Sequence, residues 1–206
     1  RPRSREEMSA LIARGGSEFE PGSKGAYSNS NYVLLTIILE KVFGKPYPEL
    51  LSERITVPLG LKNTRFGDKI DPGRNECRSY RYQDGWQLEA ETDPSIPLGA
   101  GAVVSTAPDL VRFADALLGG QILRPESLER MKTIVDQYGL GLFTFPFNEK
   151  KAYGHTGGID GFSSVFCRFD PEAVSCALVS NGTRFNNNDI SIALLSAVFG
   201  KPYQIP

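Results

Sequence analysis

The chain has 206 residues, with 23 Lys and Arg against 24 Asp and Glu, 40% hydrophobic and 23% charged residues. This composition is typical of a globular domain and excludes a disordered chain. The balanced charge lacks the basic excess of a nucleic-acid binder, and the longest apolar run, near residues 32–39, is much shorter than the roughly 20 residues of a membrane span. We therefore predict neither a nucleic-acid partner nor a membrane span.

Helical patterns dominate the first two thirds of the sequence. Ser4 and Glu7 predict a capping box at the start of a first helix, which Gly15 and Gly16 end. The next helix, over residues 28–43, is apolar on nearly every side, and this predicts that it is buried. Other helices are predicted at 47–56, 106–118 and 125–134, and the irregular residues 60–100 predict short strands with a hairpin at Asp84-Gly85.

Alternation with period two begins after residue 136 and predicts a meander of strands. The expected strands cover 138–145, 151–156, 162–169 and 174–180, before a C-terminal helix that ends at Phe199. If residues 170–173 form a four-residue loop, Cys167 lies opposite Cys176, and both are buried free thiols.

These elements define an α+β fold in which helices cover both faces of an antiparallel sheet. We expect a mostly helical sub-domain over residues 1–135, with the irregular excursion at 60–100. The sheet meander and the C-terminal helix occupy residues 136–206.

Tyr27-Ser28-Asn29 stands between a Pro-Gly turn and the start of the second helix. One interpretation is structural: Tyr27 packs its ring and its hydroxyl bonds the backbone, while Ser28 or Asn29 caps the helix. Taken alone, the segment favours this structural interpretation over a functional one.

The only histidine lies in Gly154-His155-Thr156-Gly157-Gly158. A lone histidine is usually structural, and Gly-Gly after a strand usually forms a turn. A titratable ring beside a backbone that a ligand can approach closely indicates a functional site instead. One histidine and three cysteines without a C-x-x-C pair predict no metal site, and the lack of a phosphate-binding loop predicts no nucleotide cofactor.

Four segments, in this order, resemble the serine beta-lactamase-like family of class C beta-lactamases, D-alanyl-D-alanine carboxypeptidases and esterases. Tyr27-Ser28-Asn29 resembles its Tyr-x-Asn motif, and His155-Thr156-Gly157 resembles its Lys-Thr-Gly or His-Thr-Gly motif. Between them, residues 58–64 resemble its PLGL-x-x-T segment and residues 100–110 its GG-x-x-ST-x-x-DL segment. The resemblance covers nearly the whole chain.

The resemblance implies a role for each matching residue. Tyr27 would be the general base or part of it, Asn29 would bind the substrate amide, and His155 would stand where many relatives have lysine. The substrate-binding residues would be Thr156, Gly157 and Gly158. Thr156 would bind a carboxylate or carbonyl of the substrate. The backbone N–H of Gly158 would be one donor of the oxyanion hole.

The sequence departs from the family at the nucleophile. The family uses the serine of Ser-x-x-Lys, and no serine here has lysine three residues later. We therefore expect the C-terminal part of a serine hydrolase, inert without its nucleophile segment, with an uncovered apolar surface around residues 32–39 and 162–166. The alternative is a non-catalytic binding or assembly module that retains a substrate-shaped cleft.

The same resemblance indicates the partners. They would be a small-molecule or peptide substrate such as a D-alanyl peptide, a beta-lactam or a small ester, and either the N-terminal segment or another copy of the chain. Members of this family are often exported.

Overall fold

A computed structural model describes residues 1–205, which form helices and antiparallel strands in the predicted α+β order. The helices are α1 (Arg5–Gly15), α2 (Asn29–Phe43), α3 (Tyr47–Leu51), α4 (Ala107–Leu118), α5 (Pro125–Lys132) and α6 (Asn187–Val198). The strands are β1 (Arg65–Phe66), β2 (Tyr80–Tyr82), β3 (Trp86–Leu88), β4 (Val103–Val104), β5 (Phe143–Phe147), β6 (Lys150–Ile159), β7 (Phe162–Phe169) and β8 (Val174–Ser180).

The main sheet is an antiparallel meander in the order β5-β6-β7-β8. Between β7 and β8, Phe169 pairs with Val174 and Cys167 pairs with Cys176, so the predicted register is confirmed. The predicted hairpin at Asp84-Gly85 is also confirmed, since β2 pairs with β3 on either side of it. Strands β1 and β4 form a separate two-stranded sheet.

Helices cover both faces of the main sheet, as the apolar patterns of β7 and β8 predict. On one face Phe113 of α4 packs edge-on against Phe166 of β7, with ring centroids 5.9 Å apart. On the other face Leu195 of α6 joins a core with Cys167 and Phe169, and Phe169 is completely buried. Because residues of β7 alternate between the two faces, each helix contacts every second side chain.

The helical region is organised around α1 and α2. The predicted capping box is present, with the Ser4 side chain accepting from the N–H of Glu7 and the Glu7 side chain accepting from the N–H of Ser4. Arg5 of α1 forms two hydrogen bonds of 2.7 and 2.9 Å with the carboxylate of Glu40 in α2. The core beneath them consists of Met8, Val33, Ile37 and Leu98. No helix within residues 1–205 combines the length and apolar character needed to cross a membrane.

The prediction that α2 is buried on nearly every side is wrong for the described chain. Only its side facing α1 and Leu98 is buried, through Val33, Thr36 and Ile37. The expected uncovered apolar surface is present here, and it comprises Leu35, Ile38, Leu39, Val42 and Phe43, with Val42 69% exposed. Residues 162–166, which were expected to share this exposure, are half-buried.

The strand bounds differ from the prediction at β5 and β6. The expected strand 138–145 is found at Phe143–Phe147, because Gly139 hydrogen-bonds back to Leu142 and Gly141 has a positive φ of 74°. The strand expected at 151–156 continues to Ile159. Of the predicted helices, 125–134 ends at Lys132, and 47–56 consists of α3 followed by a turn of π-helix over Ser52–Thr56.

The cysteines provide a test of the register and burial of β7 and β8. Burial raises the pKa of the Cys167 thiol to about 12 and also raises the pKa of the Cys176 thiol. The thiolate is the reactive form, so this raised pKa keeps Cys167 protonated and unreactive at pH 8. We expect a thiol reagent to label exposed Cys77 first, and Cys167 only after denaturation. Peptide mass mapping would read this out, and rapid labelling of Cys167 in the folded chain would contradict its burial.

Candidate active site

Tyr27 lies in the loop that leads into α2 and is 50% exposed. Ser28 occupies the N-cap position, but its side chain makes no capping hydrogen bond. The Tyr27 hydroxyl donates to Oδ1 of Asn29 over 2.9 Å. The structural interpretation is therefore wrong about a hydroxyl bonded to the backbone and a capping Ser28 side chain, whereas the predicted packing of the Tyr27 ring is present. Asn29 keeps its Nδ2 donors free of Tyr27, and the Tyr27 oxygen keeps its acceptor lone pairs.

His155 lies within β6, and the two glycines that follow it continue the strand. Gly157 pairs with Ser164 and Gly158 with Ser163 on β7, so the interpretation of Gly-Gly as a turn is wrong. Packing requires glycine at position 154, because a Cβ there would lie 1.9 Å from the carbonyl oxygen of Phe166. Gly154 therefore lets the backbone of β6 lie close to that of β7.

The fold brings Tyr27 and His155 together, although 128 positions separate them in the sequence. Their ring centroids lie 6.1 Å apart, so the two side chains are neighbours and do not lie on separate surfaces. Phe143 of β5 stacks on His155 at 4.2 Å and contacts Tyr27 at 6.0 Å. Tyr138 lies 6.4 Å from Tyr27 and 5.7 Å from Phe143, so the candidate base forms an aromatic cluster with three other rings.

One hydrogen bond defines the tautomer of His155. Its Nδ1 lies 2.5 Å from the backbone oxygen of Thr156. A carbonyl oxygen only accepts, so Nδ1 carries the proton. In a neutral ring Nε2 is therefore the unprotonated nitrogen, available to accept a proton from a neighbouring group.

The second half of β6 forms an open sheet edge. Pairing of β5 with β6 ends at Phe143 and Gly154, whereas β7 pairs with β6 as far as Ile159. Residues 155–159 therefore have no strand on their β5 side within residues 1–205. An unpaired edge of this kind presents backbone donors and acceptors to an extended ligand.

The turn after β6 determines which backbone groups face this edge. Ile159 and Phe162 close a two-residue turn and therefore exchange hydrogen bonds. Successive residues of a strand direct their backbone N–H and C=O groups to opposite edges. Thr156 and Gly158 therefore direct theirs to the open side. The same alternation puts the side chains of Thr156 and His155 on opposite faces of β6. The edge thus offers the Gly158 N–H three residues along β6 from His155.

A tight turn, which sequence analysis did not identify, supports the Tyr27 loop. Val135 and Tyr138 exchange backbone hydrogen bonds of 2.9 and 3.0 Å, and the two residues between them have positive φ angles, 49° at Asp136 and 76° at Gln137. The Asp136 carboxylate accepts from the N–H of Gly25 over 2.5 Å. This turn positions Tyr138 beside Tyr27, and no sequence motif marked it, because the contact joins positions 111 apart.

Tyr32, one turn into α2, lies close to the same cluster. Burial raises the pKa of its hydroxyl above the usual value of 10, and the nearby Tyr27 adds to this effect, while a hydrogen bond with the backbone of Gly141 opposes it. Tyr32 is therefore a neutral phenol at ordinary pH. It is also less exposed than Tyr27, at 37% against 50%.

The site therefore combines a phenol, a histidine with a free Nε2, a side-chain amide and backbone N–H donors on an open strand. These groups can transfer a proton and stabilise a negative oxygen, as acyl transfer requires. This fold and site define the serine beta-lactamase-like class of proteins. The beta-lactamase family model matches residues 1–202, and the chain belongs to that family.

Relatives of known sequence support this assignment. The chain is 29% identical to a penicillin-binding protein of Bacillus subtilis strain 168, over 91% of this chain and 47% of that protein. It is 30% identical to a D-alanyl-D-alanine-carboxypeptidase/endopeptidase of Escherichia coli K12, over 65% of this chain and 34% of that protein. The chain thus spans less than half the length of these curated relatives.

Solved structures agree on the fold. The D-amino acid amidase of Ochrobactrum anthropi SV3 superposes with a TM-score of 0.82 at 28% identity, over 97% of this chain and 65% of the amidase. An octameric penicillin-binding protein homologue from Pyrococcus abyssi gives a TM-score of 0.82 at 24% identity, over 96% of this chain and 48% of that chain. The predicted beta-lactamase/transpeptidase-like fold is confirmed.

The single histidine makes the site directly testable by NMR. We expect the neutral ring of His155 to show a protonated Nδ1 and a bare Nε2 in its nitrogen shifts, because Nδ1 donates to Thr156. Replacing Phe143 with leucine should remove the ring-current shift of the His155 carbon-bound protons. The control variant Phe185→Leu, at an exposed side chain, should leave them unchanged. A neutral ring protonated at Nε2 would contradict this geometry.

Proposed function

We propose that residues 1–206 supply the base, an amide ligand and one oxyanion donor of a serine hydrolase that cleaves D-amino-acid amides or peptides through an acyl-enzyme. The observation that carries the proposal is the meeting of the Tyr27 and His155 rings at 6.1 Å beside the open edge of β6. The names of two similar proteins, a D-amino acid amidase and a D-alanyl-D-alanine-carboxypeptidase/endopeptidase, support D-configured substrates over a beta-lactam or a small ester.

In this mechanism Tyr27 accepts the proton of the nucleophilic serine and later returns it to the leaving amine. A free phenol has a pKa of about 10, so the base requires a partner that stabilises the phenolate or shares its proton. His155 is that partner, and its bare Nε2 can take a proton through one water. The hydrogen bond from Tyr27 to Asn29 aligns the phenol and leaves Nδ2 of Asn29 to donate to the substrate amide oxygen.

The open strand binds the substrate in the same proposal. Thr156 and Gly158 present their backbone groups to an extended peptide. Gly157 stands between them, where a Cβ would lie 2.6 Å from Oγ of Ser164. The N–H of Gly158 stabilises the negative oxygen that develops at the attacked carbonyl. Thr156 contacts a substrate carboxylate or carbonyl at the rim of the cleft.

The nucleophile lies outside residues 1–206 in this proposal, because no serine in this sequence is followed by lysine at the third position. The apolar surface of α2 formed by Leu35, Ile38, Leu39, Val42 and Phe43 supports it. Such a surface favours association with another apolar surface. That surface would belong either to the segment that carries Ser-x-x-Lys or to a second copy of this chain.

We expect the 206-residue chain alone to form no covalent adduct with penicillin or with an activated ester. Loss of the nucleophile reduces the activity of a well-studied serine hydrolase by roughly 10⁶, so intact-mass spectrometry should detect only the unmodified chain. Supplying a Ser-x-x-Lys segment, fused or as a separate chain, should restore acylation. If the supplemented chain stays unmodified yet binds the ligand, the alternative of a non-catalytic binding module holds. A stoichiometric adduct on the isolated chain would refute an external nucleophile, and Ser28 would be examined first.

The role of Tyr27 is tested in the protein that includes the nucleophile. Tyr27→Phe should lower kcat by about 10²–10⁴ with little change in KM, because it removes proton transfer and keeps the ring packing. The matched control Tyr203→Phe, at an exposed tyrosine of the C-terminal segment, should leave both constants unchanged. Wild-type kcat in Tyr27→Phe would remove this residue from the mechanism.

A further inference from the structure

The turn that ends β6 is bound by two distant segments of the irregular excursion at 60–100. The turn consists of Asp160 and Gly161, with positive φ angles of 49° and 79°. The Asp160 carboxylate accepts from the N–H and the hydroxyl of Thr92 at 2.6 and 2.8 Å. Its backbone carbonyl accepts from the hydroxyl of Ser79, which is 3% exposed. Asp160 therefore joins the end of β6 to chain that lies 68 and 81 positions earlier.

Gly161 shows how closely the excursion covers this turn. A Cβ at position 161 would lie 2.9 Å from Cγ of Glu89 and 3.1 Å from the carbonyl oxygen of Tyr80. The N–H of Glu89 in turn donates to the carbonyl oxygen of Ser79 over 3.0 Å, which links the two sides of the excursion. The turn is therefore enclosed by the excursion as well as hydrogen-bonded to it.

Residues 92–101, which we call the strap, connect this turn with α2. Leu98 of the strap is completely buried in the core that α2 forms with α1. The N–H of Gly99 donates to the hydroxyl of Thr36 on α2 over 3.1 Å. Because α2 begins at Asn29, the strap joins the end of β6 to the helix whose start carries the candidate base and its amide partner.

The second half of β6 has few other connections to the helical region. Its pairing with β5 ends at Gly154, four residues before Gly158. Pairing with β7 holds Gly158 within the sheet, but it does not set the distance between the sheet and α2. The strap contacts β6 directly after Gly158, through Asp160 and at Ile159, where a Cβ on Gly101 would lie 3.7 Å from Cδ1. These contacts determine where the end of β6 stands relative to α2.

We propose that Asp160 is a positioning residue, which holds the Gly158 N–H at the place where the negative oxygen of the reaction develops. It acts through the strap, which ties the turn after Gly158 to the helix that follows Tyr27. The proposal rests on the proposed function, because it takes the Gly158 N–H as an oxyanion donor. Such a donor stabilises the transition state only from the correct position, and a displacement of about 1 Å can cost roughly 100-fold in rate.

Three variants test this role in the protein that includes the nucleophile. Asp160→Gly removes the carboxylate and adopts the positive φ without strain, so kcat should fall about 10- to 100-fold while KM changes less than about twofold. Asp160→Asn should retain nearly wild-type kcat, because its amide oxygen accepts from the Thr92 N–H and its NH₂ donates to the Thr92 hydroxyl. Thr92→Val leaves position 160 unchanged and removes one donor, so it should lower kcat by a smaller factor.

The matched control is Asp84→Gly, at an exposed aspartate with a φ of 52° in the hairpin of β2 and β3. It makes the same change in another turn and should leave kcat and KM unchanged. Thermal unfolding checks that each variant is folded, and Thr92→Val decides the matter if Asp160→Gly is not. Wild-type kcat in Asp160→Gly or in Thr92→Val would overturn the proposal. So would an equal loss of kcat in Asp160→Asn, or a change confined to KM.

A measurement without acylation separates this proposal from the proposed function. Relaxation of ¹⁵N in the 206-residue chain reports the motion of the Gly158 N–H directly. Its order parameter should be about 0.85 in the wild type and in Asp160→Asn, and should fall toward about 0.6 in Asp160→Gly. An unchanged order parameter in Asp160→Gly would overturn the positioning role and leave the catalytic roles of Tyr27 and His155 in place. A nucleophile-containing protein that fails to hydrolyse D-alanyl peptides would overturn the proposed function, and the order parameters would still show whether Asp160 holds Gly158.

Discussion

The half-paired strand β6 is the constraint on which the site depends. Its pairing with β7 runs from Tyr153 to Ile159, which holds this part of the strand rigid, while its pairing with β5 ends at Gly154. The rigid side fixes where His155 and Gly158 stand, and the free side gives a ligand access to them. A fully paired β6 would leave no backbone group for a substrate, and an isolated strand would not hold its shape.

Local patterns predict the elements of this fold well because their causes are local. The capping box at Ser4 and the two-residue period of β7 and β8 each depend on neighbours a few residues away. The register of Cys167 opposite Cys176 also follows from a short loop. The strand bounds near Tyr138 were wrong, because Gly139 bonds Leu142 and Gly141 has a positive φ. The tight turn just before them, at Asp136 and Gln137, is stabilised by Gly25, far away in the sequence.

The candidate site is predictable only in part, for the same reason. The motif residues Tyr27, Asn29 and His155 stand out in the sequence, and the structure brings their elements together. Phe143 and Tyr138, which complete the aromatic cluster, resemble ordinary strand residues until the sheet is formed. The exposed side of α2 illustrates a second limit. An apolar pattern predicts that another segment packs against the helix, but it does not identify that segment.

The distance in sequence between Tyr27 and His155 has a kinetic consequence. The cluster joins segments more than a hundred positions apart, so it forms only when a long loop closes, and contacts of this kind slow folding. β6 and β7 can pair early through their two-residue turn, whereas the Tyr27 loop docks on them late. The same loop rests on a few exposed contacts, such as that of Gly25 with Asp136, and belongs to the regions that open first in the native state. Hydrogen exchange would therefore show fast opening at Gly25 and slow opening along β7, within one folded molecule.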